Sequence, residues 1–202
     1  MNYDQERLPH AIAMINLAKF SGKKAMPRNA LLAFFNHGMM RIIHHIPFAR
    51  NFFEELGIKP RSRFRAGLFR KAKSACGLLP GALLPQGWVR AQDGRLLLSD
   101  DALGEGFALV DFGCDPCRQL DGDVARRFAG VKGKSIQISF RGQRLGLAAD
   151  EVYEDLEGAF LPRVAKAGRV AVIRPDRTVM HTGPADDVTR VVGECLDLLQ
   201  AP

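Results

Sequence analysis

The second half of the chain is a regular succession of strand-like and helix-like segments, which limits the possible folds more than any other feature. Continuous apolar runs or strict alternation predict strands, whereas apolar residues three to four positions apart predict helices. The predicted strands are 107–112, 135–140, 170–173 and 178–181, and the predicted helices are 118–128, 156–167 and 188–199. The order is therefore β-α-β followed by α-β-β-α. With short, right-handed connections, it predicts an α/β fold in which helices flank a mixed four-stranded sheet.

A helical segment precedes this part of the chain. Apolar residues recur at helical spacing over 9–21, where Pro9 stands in the first turn, and again over 28–46 and 48–56. These helices are apolar over a wide arc, and three short helices offer one another too little surface to bury it. We therefore expect a missing partner or domain to pack against them.

The two regions are joined by residues in which apolar side chains do not recur at a regular helical or strand spacing. Residues 58–86 are rich in proline, glycine and arginine, which predicts a connector crossing a surface. Residues 89–98 predict a β-hairpin whose tight turn is Asp93-Gly94. The predicted division is a helical segment over 1–57, a connector over 58–87 and a sheet domain over 88–202. The element order of the last part is that of the thioredoxin fold, so we expect a thioredoxin-like domain.

The positive charge of the chain is regional. The net charge is +7, but residues 1–75 hold 14 Lys plus Arg against 4 Asp plus Glu, and the remainder holds 15 against 18. A basic face can attract nucleic acid, but this segment has no nucleic-acid-binding module, so we expect a solvated or partner-facing helical surface. No apolar run approaches the roughly 20 residues of a membrane span, and no signal peptide pattern is present. The sequence therefore predicts a cytoplasmic protein without nucleic acid or membrane partners.

The sharpest local signal is Cys114-Asp115-Pro116-Cys117, which lies between a predicted strand and a predicted helix. A cysteine at a helix N-terminus can have its pKa lowered from about 8.5 toward about 7, because the amides and the helix dipole stabilise the thiolate. A second cysteine one turn later can resolve a mixed disulfide. The pair Cys114 and Cys117 is therefore a candidate redox site, which would make the chain a thiol–disulfide oxidoreductase.

Two features oppose that hypothesis. The carboxylate of Asp115 lies beside the nucleophile and raises its pKa. Active thioredoxins carry a cis-proline directly before the third strand, and the matching residues 166–170 contain no proline. The alternative is two free, partly buried thiols on a structural turn, and both interpretations stay open.

The other candidate residues point to structural roles. His44 and His45 are adjacent on a predicted helix and cannot form the i, i+4 pair that chelates a metal, so no metal site is expected. Cys195 lies on the apolar stripe of the last helix, which predicts a core position. The sequence contains no G-x-G-x-x-G motif and no phosphate loop. The acidic residues Glu151, Glu154, Asp155 and Glu157 predict a solvated loop and a helix N-terminus.

Several short motifs, in order along the chain, resemble the flavin monooxygenases that hydroxylate aromatic rings. Residues 3–9 resemble the Tyr-x-x-Glu-Arg-x-Pro segment that follows the flavin-binding motif of that family. The entry into the family's C-terminal domain is matched by Pro85-Gln86, Asp93-Gly94, Asp100-Asp101, Leu103-Gly104 and Gly106-Phe107. Arg174-Pro175-Asp176 resembles the family's Arg-Pro-Asp between the last two strands. The resemblance spans nearly the whole chain.

This resemblance implies the C-terminal part of an enzyme that depends on FAD and NAD(P)H. In this family the C-terminal domain is thioredoxin-like and serves packing and subunit contacts, which implies a homo-oligomer and a flavin-binding domain on the same or a separate chain. The family's flavin motifs would precede Met1. No cofactor-binding residue can therefore be carried over, and we expect this chain alone to be inactive. A truncated or split gene product, a separately translated partner chain or a recombinant piece would each fit.

Overall fold

The computed structural model describes residues 3–26, 29–45, 63–64, 66–70, 77–113, 120–143 and 151–200. The chain divides into two compact units, Met1–Phe64 and Arg65–Pro202, which we call the helical unit and the sheet unit.

Two helices are described in the helical unit. Helix α1 spans Tyr3–Ala25 and α2 spans Ala30–His44. The prediction of a helix over 28–46 is confirmed. The first helix is longer than predicted and begins six residues before Pro9, so Pro9 lies in its interior and not in its first turn. The third predicted helix, over 48–56, lies outside the described residues.

The helical unit leaves large apolar side chains in solvent. On α2, Phe34 is 75% exposed and Phe35 is 70% exposed, although both lie on the apolar side that the sequence pattern identifies. The other exposed apolar residues of the two helices are Leu8, Ile12, Met14, Ile15, Phe20, Leu31, Met39 and Ile42. Such a concentration of exposed apolar residues is typical of an interaction surface.

The sheet unit is built on one mixed sheet of seven strands. In chain order its elements are β1 (Trp88–Ala91), β2 (Leu96–Leu98), α3 (Ser99–Leu103), β3 (Ala108–Phe112), α4 (Gly122–Gly130), β4 (Lys134–Ser139), β5 (Val152–Asp155), β6 (Arg169–Ile173), β7 (Val179–Pro184) and α5 (Val188–Gln200). The strand order is β2-β1-β5-β4-β3-β6-β7. Strand β3 is parallel to β4 and antiparallel to β6, which in turn is antiparallel to β7. These four strands are the sheet that the sequence predicts, and the thioredoxin-like α/β fold is confirmed.

The sheet is wider than predicted because a hairpin and one further strand extend it. The hairpin β1–β2 turns at Asp93-Gly94 as predicted, and Gly94 has the positive φ of +88° that such a turn requires. Strand β5 then joins the hairpin to β4, antiparallel to β1 and parallel to β4. No sequence pattern predicted β5.

Each face of the sheet packs its own apolar core. Because side chains alternate along a strand, Val110 and Phe112 of β3 point to one face and Leu109 to the other. The second face is covered by α4 and α5, whose apolar stripe includes Val191 and Cys195. Part of the predicted connector also belongs to the sheet unit, since Phe69, Leu78 and Leu84 are buried.

Two helix predictions are wrong. Helix α4 begins at Gly122 and not at Arg118, because Asp121 has non-helical backbone angles and caps the helix with its side chain. The predicted helix over 156–167 is absent; these residues form bends and turns. The carboxylate of Asp155 accepts hydrogen bonds from the backbone of Ala159, Phe160 and Leu161, and so it organises this segment as a loop.

Candidate functional site

The described part of the chain contains one of the four cysteines. Cys195 on α5 is buried with a free thiol, as predicted, and burial raises its pKa to about 12. A thiol with so high a pKa carries almost no thiolate near neutral pH and is chemically inert. Cys114 and Cys117 lie outside the described residues.

The residues on either side of the cysteine pair bear on its chemistry. Strand β3 precedes the pair as predicted, but the described helix that follows has its N-terminal amides occupied. Asp121 Oδ1 accepts hydrogen bonds from the backbone N–H groups of Asp123 at 2.9 Å and Val124 at 3.4 Å. These N–H groups of α4 are therefore not free to stabilise an anion. A cis peptide bond is found at Leu161–Pro162, seven residues before β6, and not directly before that strand.

Glu151, Glu154 and Asp155 are held by contacts within the fold, so their prediction as a solvated loop is wrong, whereas Glu157 is exposed as predicted. Asp155 is 2% exposed and accepts three backbone hydrogen bonds, at 3.1, 2.8 and 3.0 Å. Glu154 pairs with Arg90 of β1 at 3.5 Å. The Tyr153 hydroxyl donates to Glu151 at 3.1 Å, and burial together with that carboxylate raises the pKa of Tyr153 to about 12. Glu154 and Asp155 are therefore structural residues of β5.

The motifs that carry the resemblance converge at one corner of the sheet unit. Gln86 Nε2 donates to Asp100 Oδ2 at 2.7 Å. Arg177, which directly follows the Arg-Pro-Asp motif, donates to the carbonyl oxygens of Gly104 at 2.7 Å and Asp100 at 2.9 Å. We call Gln86, Asp100, Gly104 and Arg177 the motif corner. These hydrogen bonds connect the β6–β7 turn to α3, two segments more than 70 residues apart in the chain. The motif corner therefore has a structural role.

The Arg-Pro-Asp motif itself shapes the β6–β7 turn. Arg174 is 4% exposed and its guanidinium lies 3.2 Å from the carboxylate of Asp176. The other oxygen of Asp176 accepts from the backbone N–H of Thr178. Arg177 has a positive φ of 66° at this turn. The sequence pattern identified the turn but not the role of Arg177, since no local signal reveals partners so distant in the chain.

A second polar cluster, which no motif in the sequence indicated, surrounds Glu194 on α5. Glu194 accepts hydrogen bonds from Arg70 Nε at 2.8 Å and Arg190 at 3.2 Å, and His181 Nε2 of β7 lies 3.3 Å from it. The hydrogen bonds from Arg70 and then Arg190 hold the pKa of Glu194 below its usual value. Burial lowers the pKa of His181. Only the i, i+4 spacing of Arg190 and Glu194 could have signalled this cluster.

The described residues do not form a site for a metal. No group of three His, Cys, Asp or Glu side chains within them could hold an ion. The Nδ1 atom of His45, the residue after α2, lies 2.8 Å from the backbone oxygen of Arg41 on that helix. Gly133-Lys134-Ser135 has the sequence that ends a phosphate loop, but it leads into strand β4 and not into a helix. A Cβ at Gly133 would come within 2.5 Å of the Phe128 ring, so glycine is required by packing.

The described helix N-termini of the sheet unit do not suit the diphosphate of a flavin cofactor. Such a group binds at a helix N-terminus that offers free amides and a positive dipole. Among the described helices of this unit, α3 has Asp100 and Asp101 in its first turn, α4 is capped by Asp121, and Asp186 and Asp187 directly precede α5. Carboxylates at these positions repel a diphosphate.

No helix in the described ranges combines the length and the apolar character that crossing a membrane requires.

Comparison with known proteins identifies the family. A family model described as the HcaD C-terminal domain matches residues 81–198, which is more than half of the chain. The 3-(3-hydroxy-phenyl)propionate/3-hydroxycinnamic acid hydroxylase of Burkholderia cenocepacia (strain HI2424) is 30% identical over 185 residues, which cover 88% of this chain and 34% of that protein. The protein of the same name from Escherichia coli (strain K12 / DH10B) is 26% identical over 203 residues, covering 98% of this chain and 36% of that protein.

Two solved structures share the fold. The flavin-dependent monooxygenase PieE, in complex with FAD and substrate, has a TM-score of 0.59 at 18% identity, over 97% of this chain and 39% of that chain. Aklavinone-11 hydroxylase, in a ternary complex with FAD and aklavinone, has a TM-score of 0.59 at 17% identity, over 96% of this chain and 34% of that chain. The chain spans about a third of the length of the curated relatives it matches. It belongs to the HcaD C-terminal domain family, and what it matches in the aromatic hydroxylases is their C-terminal domain.

Proposed function

We propose that the chain is the structural, non-flavin-binding part of an FAD- and NAD(P)H-dependent aromatic ring hydroxylase. The observation that carries this proposal is the exposed apolar face of the helical unit. Phe34 and Phe35 are 75% and 70% exposed, and Leu31 and Ile42 on the same helix are 69% and 68% exposed. A flavin-binding domain, on the same or a separate chain, packs against this face and supplies the cofactor.

The proposed organisation follows the predicted division of the chain. Residues 1–57 complete the flavin and substrate domain, and residues 88–202 form the thioredoxin-like domain. Residues 58–87 connect the two. The phenylpropionate and cinnamate hydroxylases among the relatives suggest a hydroxylated aromatic acid as the substrate class. We place the enzyme in the cytoplasm, where NAD(P)H is available. By itself this chain does not hydroxylate a substrate.

Co-expression tests the proposal. The chain is produced together with the part of the Burkholderia cenocepacia relative that it does not match, and the purified complex is examined for bound flavin. The matching part of that relative serves as the positive control. We expect a yellow complex with both polypeptides, and we expect Phe34→Asp combined with Phe35→Asp to abolish it. Leu83→Asp, at an exposed leucine of the sheet unit, should leave it intact.

The proposal fails if the positive control assembles and this chain does not. It also fails if the complex forms equally well with the double aspartate variant, because the helical face would then not be the contact surface.

The second candidate function, thiol–disulfide exchange by Cys114 and Cys117, rests on the thioredoxin-like strand order around β3. The capping of α4 by Asp121 argues against an activated thiolate next to that helix. An insulin-reduction assay with dithiothreitol separates the two functions. We expect the chain to reduce insulin no faster than its Cys114→Ser variant, and a clear difference would establish the redox function.

A further inference from the structure

Helix α2 has a glycine in its interior that the described contacts of this chain do not require. Gly38 lies in the middle of Ala30–His44, where glycine is destabilising relative to alanine because it loses more backbone freedom on folding. A Cβ built at Gly38 would meet nothing within 4 Å in the described part of the chain. Gly183 of β7 is different, because a Cβ there would overlap the side chain of Val191. Packing within the fold therefore explains Gly183, but no described contact explains Gly38.

Gly38 lies at the centre of the exposed apolar face of α2. On a helix surface, a position is surrounded by the residues three and four places before and after it, which here are Phe34, Phe35, Arg41 and Ile42. All four are exposed, and the two aromatic rings contact each other edge to face with their centroids 6.0 Å apart. Gly38 thus leaves a gap between large exposed side chains. We call this gap and its four surrounding residues the Gly38 depression.

A depression in an apolar helix face fits a second helix. Packed helices place the side chains of one between the side chains of the other. At Gly38 no side chain fills the gap, so a large apolar side chain of a partner can reach the backbone of α2 and contact Phe34, Phe35 and Ile42. Burying these exposed side chains in one contact removes apolar surface from water, which favours association. The glycine then has a role that offsets its unfavourable effect on the helix.

The charge beside the depression specifies the partner further. Arg41 is exposed and is the only Lys, Arg, Asp or Glu residue of α2, so no carboxylate of its own helix neutralises it. A partner helix that covers the depression removes water from the guanidinium, which is unfavourable unless a carboxylate replaces that water. The matching surface is therefore a helix with a large apolar side chain and an Asp or Glu about one turn away from it.

A second copy of α2 does not match this description. In a two-fold pair centred on Gly38, one depression would face the other and leave a void between the helices. The pair would also bring Arg41 near Arg41, and α2 has no carboxylate to offset the repulsion. We expect the occupant instead in the part of the enzyme that this chain does not span, which is about two thirds of the length of the curated relatives.

We propose that a helix of the flavin-binding domain inserts a large apolar side chain into the Gly38 depression and pairs a carboxylate with Arg41. The inference rests on the proposed function, in which that domain packs against the helical unit, and it specifies the point of contact. Gly38 is then a specificity-determining residue of the interface, because its missing side chain admits that of the partner.

Dilution of the co-expressed complex tests the inference. The complex of this chain with the unmatched part of the Burkholderia cenocepacia relative is purified and diluted, and size-exclusion chromatography gives the concentration at which half of it has dissociated. Gly38→Ala should raise that concentration about tenfold, because the added methyl group occupies the depression. Gly38→Leu should raise it about a hundredfold, although it enlarges the exposed apolar surface. A contact held by apolar area alone would instead tighten with leucine.

The isolated chain provides a readout that moves in the opposite direction. Alanine is a better helix former than glycine, so the amides of α2 should exchange with solvent about fivefold more slowly in Gly38→Ala than in the wild type. The substitution thus stabilises the helix and weakens the complex. Misfolding of the helical unit would not produce that combination.

Gly193→Ala is the matched control. Gly193 lies in the interior of α5, and a Cβ there also meets nothing within 4 Å in the described part of the chain. The same substitution should slow amide exchange in α5 and leave the complex unchanged. For the charge, Arg41→Glu should raise the half-dissociation concentration about tenfold and Arg41→Lys much less.

Two results would overturn the inference alone. The complex could form and be abolished by Phe34→Asp with Phe35→Asp, yet dissociate at the wild-type concentration in Gly38→Ala and Gly38→Leu. Gly38→Ala could also change the mass of this chain in the absence of the flavin-binding part, which would assign the depression to a second copy. If this chain forms no complex while the matching part of the relative does, the proposed function and this inference fail together.

Discussion

The helical unit and the sheet unit are both rich in large apolar side chains, but among the described residues those of the sheet unit are largely buried and those of α1 and α2 are largely exposed. Phe112 in β3 is 0% exposed and packs with Phe160, whereas Phe34 in α2 is 75% exposed and contacts its neighbour Phe35 edge to face. Aromatic pairs of both kinds are commonly found in protein cores. The described strands and helices of the sheet unit thus bury their apolar side chains against one another, whereas the described helices of the helical unit expose the apolar face that we propose as a contact surface.

The largest expected difference between the two units comes from truncating an isoleucine in each. Ile138 in β4 is 1% exposed and Ile42 in α2 is 68% exposed. We expect Ile138→Ala to lower the free energy of unfolding by about 2–5 kcal/mol, because it removes packing and leaves a cavity. Ile42→Ala should change it by less than about 0.5 kcal/mol. Urea denaturation of the two variants measures both values, and equal losses would refute the comparison.

The loop after β5 provides the next largest effect within the sheet unit. Asp155→Ala leaves three backbone N–H groups without their acceptor, and we expect a loss of about 3 kcal/mol. Asp155→Asn retains one acceptor oxygen and should lose less. Glu157→Ala, at an exposed carboxylate two residues later, is the matched control and should be neutral within about 0.5 kcal/mol. A loss of similar size in this control would mean that the acidic run is not anchored through Asp155.

The motif corner should contribute a smaller stabilisation. Arg177→Ala removes the donors to the carbonyl groups of Gly104 and Asp100 at an unchanged backbone strain, so we expect a loss of about 2 kcal/mol. Arg177→Gly removes the same donors but relieves the strain at a φ of 66°, so it should lose less. Arg95→Ala, at an exposed arginine, should have almost no effect. If Arg177→Ala also has almost no effect on thermal unfolding, the motif corner does not stabilise the fold.

The smallest expected effect is the pH dependence contributed by His181. Its pKa is lowered in the folded state by burial, so the unfolded chain binds the proton more readily. The folded state is therefore favoured above the ordinary histidine pKa of about 6.5 and loses stability as the pH falls below it, by an amount on the order of 1 kcal/mol. Glu194 counteracts this loss, whereas Arg70 and Arg190 reinforce it.

The His181→Asn variant should flatten this dependence when unfolding is measured at pH 7.5 and pH 5.5, values chosen about one pH unit on either side of the unperturbed histidine pKa. An unchanged slope in the variant would assign the pH dependence to other groups.

Local patterns predicted the elements whose signal is complete within a few residues. The hairpin at Asp93-Gly94, the strand β3 and the stripe of α5 are of this kind. The loop at 156–167 escaped prediction because Asp155 organises it through tertiary burial, which overrides the helical spacing of its apolar residues. Strand β5 was missed for a related reason, since its acidic side chains are neutralised by partners such as Arg90 on another strand.

The same distinction applies to candidate functional groups. Sequence patterns identified the motifs of the hydroxylase family but not the contacts among them, because Arg177 and Asp100 are 77 residues apart. The exposed face of the helical unit was predicted, since helical spacing alone reveals an apolar arc too wide for three helices to bury.

The most direct test of the central claim is a titration of FAD with the purified chain, followed by flavin fluorescence and by gel filtration of the mixture. The claim is that these residues contribute scaffold and interface and not a flavin site. It predicts unchanged flavin fluorescence and free FAD that elutes separately from a colourless protein. Saturable binding of one FAD per chain would contradict it.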